Sequence, residues 1–396
     1  MTQWRLLLPG LLMAMTGVGV GDLATAGFTG AQLGVTVLWA ILVGAFFKMV
    51  LTEGIARWQL ATQQSVIEGA IQYFRWPFMA FMLVYFLPWC WFVGGALINA
   101  TGVAATQLLL QFDIHTDKIV MGTLHSFLAV GLLWLGSTRW FNGAMGVLAA
   151  ILFITVLSCA AFIPFNGYDV LSGLFIPSIP DQAEAISWTF ALMGGVGGTL
   201  TILCYGYWLK NDDRSGREGL KRSRLDIGVS YFMTALFGIA MVIIGAAAAQ
   251  QGKGLGLLLG ISDYFNQHIA NGVGSVFLLG AWAAIFSSML GVWQAVPLMF
   301  ADAFYGLKAK TVTDLEASHA YRVWMCVLAF VPLASLMFSF KEMQKLYSLV
   351  GAWFMPILAL TLLYLNNRRV SAEFKNPWPV NAALAIVFVF FAWMAW

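Results

Sequence analysis

Charge is what this chain has least of. Asp, Glu, Lys and Arg make up only 10% of its 396 residues, while 60% are hydrophobic; a soluble domain carries about 25% charged residues. That balance excludes a soluble globular protein and points to a polytopic protein of the lipid bilayer. Cysteine is also sparse. The four (Cys90, Cys159, Cys204 and Cys326) all lie in apolar segments with no close pair, which excludes a disulfide framework or a cysteine metal site. No nucleophile sits with a base, and no phosphate loop or iron–sulfur spacing occurs, so neither an enzyme nor a resident cofactor is expected. The first apolar run carries no small-residue cleavage site and leads straight into further spans, so no cleaved leader is expected. Between Glu68 and Asp113 there is not one acidic residue.

What fills the chain is apolar runs. A bilayer core needs roughly 20 apolar residues per helix. Windows of that size give eleven spans, at about 7–33, 35–60, 77–103, 116–137, 140–165, 185–209, 227–250, 272–303, 321–340, 344–366 and 378–396. With the N-terminus inside, the inner segments hold 16 of the 21 basic residues and the outer segments four, with Lys48 within the second span. The positive-inside rule then places the N-terminus in the cytoplasm and the C-terminus outside a bacterial-type cytoplasmic membrane. The basic stretch after span six, from Arg214 to Arg224, is positive-inside charge and implies no nucleic-acid partner.

Two spans carry glycine where a helix should be continuous. Span one contains TGVGVGDLATAG, with Gly17, Gly19 and Gly21 followed by Asp22; span six contains Gly194, Gly195, Gly197 and Gly198, then Thr199 and Thr201. Each glycine costs a helix about 1 kcal/mol relative to alanine. Spans one and six lie five apart, and an odd number of spans inverts the second copy relative to the first. Paired interruptions in such repeats point to a transport site at mid-membrane. Close helix packing is the structural alternative for any one of these glycines.

The residues that carry these interruptions also resemble a known family, the Nramp divalent-metal transporters. PGLLMAMTGVGVGDLATAGFTGAQLGVTVLW (Pro9 to Trp39), ARWQLAT (Ala56 to Thr62), AAIFSSMLG (Ala283 to Gly291) and MPILALTLLYLNNRR (Met355 to Arg369) match it. The resemblance implies an all-α LeuT-type inverted repeat with spans one and six broken. Repeat one would cover about 7–165, repeat two about 185–366, and an extra helix 378–396, in a single transmembrane domain. The family's helix-one Asp-Pro-Gly-Asn becomes Gly19-Val20-Gly21-Asp22, so the ligating aspartate position is a glycine and Asp22 stands at the asparagine position. Its helix-six Met-Pro-His becomes Gly198-Thr199-Leu200, the helix-ten glutamine position aligns with Phe354, and the acids of helix three are missing.

An intramembrane carboxylate is a functional-site candidate by default. Asp22 is therefore the candidate metal ligand, with a helix-capping role as its alternative. Gly19, Gly21, Gly197, Gly198, Thr199, Thr201 and Ser287 complete the expected substrate site; Ser287 and Ser288 read equally as helix–helix hydrogen bonds. Glu53 is the candidate coupling residue, either taking up a proton or pairing with Lys48. Asp302 is expected to be solvated at the inner end of span eight, and His125 to be a satisfied core histidine. Asp113-Ile114-His115-Thr116-Asp117 reads as an outer-loop turn rather than a metal trap. The expected function is a secondary active transporter, with no enzymatic activity, acting as a monomer in the lipid bilayer. Its cargo would be a divalent cation of the Mg, Mn or Fe class, or alternatively a non-metal solute such as an amino acid.

Overall fold

The structure is a computed structural model, described for residues 19–135, 138–210, 214–249, 256–310, 312 and 314–394. The first half of span one, with Gly17, and the last two residues of span eleven lie outside the described residues. Those residues form helices and connecting turns with no strand among them. Seven helices are long and apolar enough to cross a membrane, and shorter apolar helices at Lys118–Trp134, Ala149–Phe162 and Trp378–Met394 accompany them.

All eleven expected spans are found over the described residues. Span one continues from a wide π turn, Gly21–Thr25, into Ala26–Leu33. Spans two, four and five are Trp39–Thr62, Lys118–Trp134 and Thr138–Phe162. Span six is divided into Ala185–Gly195 and, after the break, Leu200–Leu203 and Cys204–Lys210. Spans seven and eight are Gly216–Ala249 and Val273–Leu307. Span nine runs through His319–Phe330 and Val331–Met337, span ten is Phe340–Arg368, and span eleven is Trp378–Met394.

Span three differs from expectation, because its helix begins eleven residues before the predicted 77. It starts at Val66, where Ser65 and Glu68 form a capping box, and runs through Val66–Phe81, a π turn at Met82–Phe86, and Leu87–Leu110. The capping box satisfies end donors reciprocally. Pro77 and Pro88 remove helical donors, which is why the backbone departs from helix at Phe74 and widens before Leu87. Two short helices, Gly167–Phe175 and Leu257–His268, also appear between spans; their lengths are too small for a span-sized window to find.

Small residues let spans one and seven touch backbone to backbone. A methyl on Gly30 would lie 2.1 Å from the Val242 carbonyl oxygen, and one on Gly245 2.2 Å from that of Gly27. Such contacts replace the hydrophobic drive that lipid does not supply. Aromatic and aliphatic side chains such as Trp76, Val84, Phe162, Phe232 and Trp393 face outward, as a lipid-facing surface requires.

Candidate functional site

Span six opens because Gly197 and Gly198 adopt φ of +76° and +87°. Residues with a Cβ rarely adopt that region, so these two positions call for glycine. The half-helix Ala185–Gly195 thus ends in mid-membrane with its last carbonyls unused. Buried polar backbone must be paired, and here charged side chains do it from both signs.

Lys48 reaches across from span two. Its Nζ donates to the carbonyls of Gly194 (2.7 Å), Val196 and Gly198 (2.5 Å). An ammonium has three donors, and all three are used. The cation also sits at the negative end of the half-helix dipole. Asp22 takes the opposite role: the Gly197 N–H donates to its Oδ1 at 3.0 Å. Both side chains are fully buried, and the Asp22 carboxylate acts electrostatically on Lys48. Asp22 Oδ2 has no hydrogen-bond partner.

Span ten holds the widened turn of span one. Gln344 Nε2 donates to the Val20 carbonyl (3.2 Å) and to Thr25 Oγ1 (2.8 Å), and the Thr25 and Ser348 hydroxyls meet at 2.9 Å. Gln344 Oε1, like Asp22 Oδ2, is a buried acceptor without a partner. Thr199 is bonded to Trp89 and Tyr347, each at 3.2 Å. The cavity at the break is about 10 Å³, lined by Val20, Gly21, Gly198, Thr201, Ser288 and Tyr347 among others. That is roughly the space of one water, so the site is closed in this conformation.

Of the expected site residues, Gly21, Gly198 and Thr201 line this cavity, while Asp22 and Gly197 meet beside it. A methyl on Gly21 would lie 2.4 Å from the Gly195 carbonyl oxygen, so spans one and six touch here. Gly19 packs against span eight: a methyl there would fall 1.7 Å from Ser288 Oγ. Ser287 is not brought in. Its hydroxyl turns back to the Ala284 carbonyl, one helical turn earlier, and Ser288 faces the cavity instead. Thr199 also stays off the cavity lining, held by its two aromatic partners.

The expected Glu53–Lys48 pair does not form. Glu53 Oε1 pairs with Arg57 (2.5 Å) and Arg224 (2.9 Å), since Arg57 lies one turn away at i+4 whereas Lys48 lies on another face. Asp302 is buried rather than solvated: the Ser65 hydroxyl (2.6 Å) and the Tyr207 hydroxyl (2.5 Å) both donate to its Oδ2. It flanks a vestibule of about 730 Å³ at the end of the bundle that carries the basic loops, together with Glu68, Lys210 and Glu316. His125 is satisfied as expected, through the Met121 carbonyl and the Trp282 N–H. Phe354 stacks on Tyr85 away from the break, and Asp117 caps span four. Sequence reasoning missed Lys48, Gln344 and Ser348. For Lys48 the signal existed: a lysine in mid-span with no acid three or four residues away needs a distant partner.

A ten-helix core with an eleventh appended, its first helix widened and its sixth broken at a mid-membrane site, defines a membrane transporter of the LeuT type. The likeness to solved structures agrees. A mutant of the Eremococcus coleocola manganese transporter matches with a TM-score of 0.73 at 16% identity, covering 99% of this chain and 86% of that one. MhsT in complex with L-phenylalanine matches at 0.66 and 16%, covering 98% of each chain. Mhp1, a nucleobase-cation-symport-1 family transporter, matches at 0.62 and 14%, covering 98% of this chain and 92% of that one. An uncharacterized protein of Pasteurella multocida (strain Pm70) is 21% identical over 374 residues, 93% of this chain and 79% of that protein. The sequence model of the Nramp family, natural resistance-associated macrophage protein-like, matches residues 10–396, and the chain belongs to that family.

Proposed function

We propose that this protein is a secondary active transporter that moves a divalent metal cation of the Mg, Mn or Fe class across the cytoplasmic membrane by alternating access. One observation carries the reading. The helix-six break gathers oxygens around a positive charge: three carbonyls hold the Lys48 ammonium, and Asp22 Oδ2 beside them has no partner. Oxygen donors of this kind suit hard cations, and no thioether or imidazole stands among them. Cargo entering this oxygen set requires the ammonium to withdraw. The placement of 16 basic residues at one end supports a cytoplasmic N-terminus and an outside C-terminus. A monomer is proposed as the working unit.

A second reading has its own support. The cavity lining carries hydroxyls of Thr201, Ser288 and Tyr347 and no charged side chain, and no group of three metal-ligating residues occurs among the described residues. Those features favour a small organic solute such as an amino acid. Proteoliposomes containing the purified protein separate the two. Accumulation of manganese or magnesium, lost on Asp22→Asn, supports the metal reading; no divalent uptake, with accumulation of an amino acid, replaces it. The family's helix-three acids are absent and Glu53 is tied to two arginines, so uptake is expected to depend only weakly on a pH gradient.

A further inference from the structure

Lys48 uses a whole side chain to fill a place that an ion could fill. Its neighbours one turn away on span two are Gly44, Ala45, Leu51 and Thr52, none of which pairs with it. Its three donors go instead to three carbonyls of the opened span six, deep in the bundle, with the Asp22 carboxylate as the fixed negative charge nearby. A ring of backbone carbonyls that replaces a hydration shell is how proteins bind bare monovalent cations. The same oxygens that accept an ammonium would accept ammonium ion, potassium or sodium.

We propose that Lys48 is a tethered occupant of a cation site at the helix-six break, and that its presence keeps monovalent cations out of that site. A group held on a neighbouring helix competes as if present at about millimolar concentration or above, and it loses no translational freedom on binding. A monovalent ion gains no more attraction from Asp22 than the ammonium already has, so it has no means of displacing it. A divalent ion gains about twice the Coulombic attraction to the same carboxylate. Lys48 thereby sets a charge threshold for entry. That last step rests on the divalent cargo proposed above; the occupancy of the site by Lys48 does not.

The test uses the purified full-length protein in detergent, with thermal unfolding followed in choline, sodium, potassium and ammonium chloride at equal ionic strength. Wild type is expected to unfold at the same temperature in all four. Lys48→Met keeps the length of the side chain without its charge. It is expected to unfold earlier in choline and to recover saturably with ammonium or potassium. A Lys48→Met protein that responds to the four salts as wild type does overturns the proposal. Where that variant does not fold, wild type itself decides: ammonium should leave manganese binding unchanged, and competition between them overturns the proposal. If wild type binds no divalent ion at all, the metal reading falls. Lys48→Gln, whose amide keeps two donors, then decides the occupancy claim by the same salt comparison: recovery in ammonium upholds it and its absence overturns it.

Discussion

Asp22 and Lys48 share one buried break, and each is the charge the other answers to. Asp22→Asn keeps an oxygen for the Gly197 N–H, so loss of the cap alone would cost about 1 kcal/mol or less. It also leaves the Lys48 ammonium without its counter-charge, and breaking a buried pair from one side costs about 3–5 kcal/mol. We expect Asp22→Asn to lose uptake and to unfold well below wild type, and Asp22→Asn with Lys48→Met to regain much of that stability. Equal unfolding temperatures for Asp22→Asn and wild type would reduce Asp22 to a cap. At this scale the sequence was partly legible. Asp22 and the glycines declared themselves because an acid and a run of glycines are rare in mid-membrane. Gln344 and Ser348 did not, since a polar residue near a span end has many ordinary uses; only the folded geometry brings them to Val20 and Thr25.

Gly19 shows how a family position can be closed to its usual residue. An Asp there would drive its Cβ onto Ser288, 1.7 Å from Oγ and 2.6 Å from Cβ. Gly19→Ala is therefore expected to cut the yield of folded protein, and adding Ser288→Gly to restore most of it, read by size-exclusion chromatography in detergent. A well-folded Gly19→Ala single variant would show that spans one and eight have slack the packing does not suggest.

Among the elements, the eleven spans follow directly from apolar length, because the bilayer sets that length. What hydropathy does not show is how spans are latched. Ser65, between spans two and three, and Tyr207, at the end of span six, both donate to Asp302 of span eight. The pattern suggested a solvated Asp302 since it sits near an end; burial comes from the loop folding over it. Asp302→Ala strands both hydroxyls, and hydrogen bonds to a charged group contribute about 1.5–3 kcal/mol each. We expect a lower unfolding temperature and easier labelling of Cys204, a buried cysteine three residues before Tyr207. Unchanged labelling and stability would mean the latch carries no load. At the opposite end, Lys345 of span ten pairs with Glu184 ahead of span six at 3.0 Å. That contact holds the exposed Glu184 carboxyl below the usual carboxylate range, first through the hydrogen bond and then through the charge of Lys345. Its folded value being lowered, the contact contributes above the ordinary carboxylate range and fades as pH falls through it.

For the whole molecule, an odd number of crossings puts the two termini on opposite sides. A reporter fused after Trp396 should report from outside the cell, while one before Met1 should report from the cytoplasm; two cytoplasmic signals would mean a miscounted span. The bonds described above also sort by charge in a way that bears on motion. Lys48 joins span two to six, Asp22 joins one to six, Glu53 with Arg224 joins two to seven, and Arg214 with Asp226 joins six to seven. Spans one, two, six and seven are riveted by charges that would be expensive to separate. The contacts from that group to spans three, eight and ten near the break are neutral: Gln344 on Val20, Ser348 on Thr25, Trp89 on Thr199. Each of these is worth about 0.5–1.5 kcal/mol. A four-helix block can therefore tilt against the rest like a rocker on its cradle, parting weak bonds along one seam while its own charged rivets stay shut.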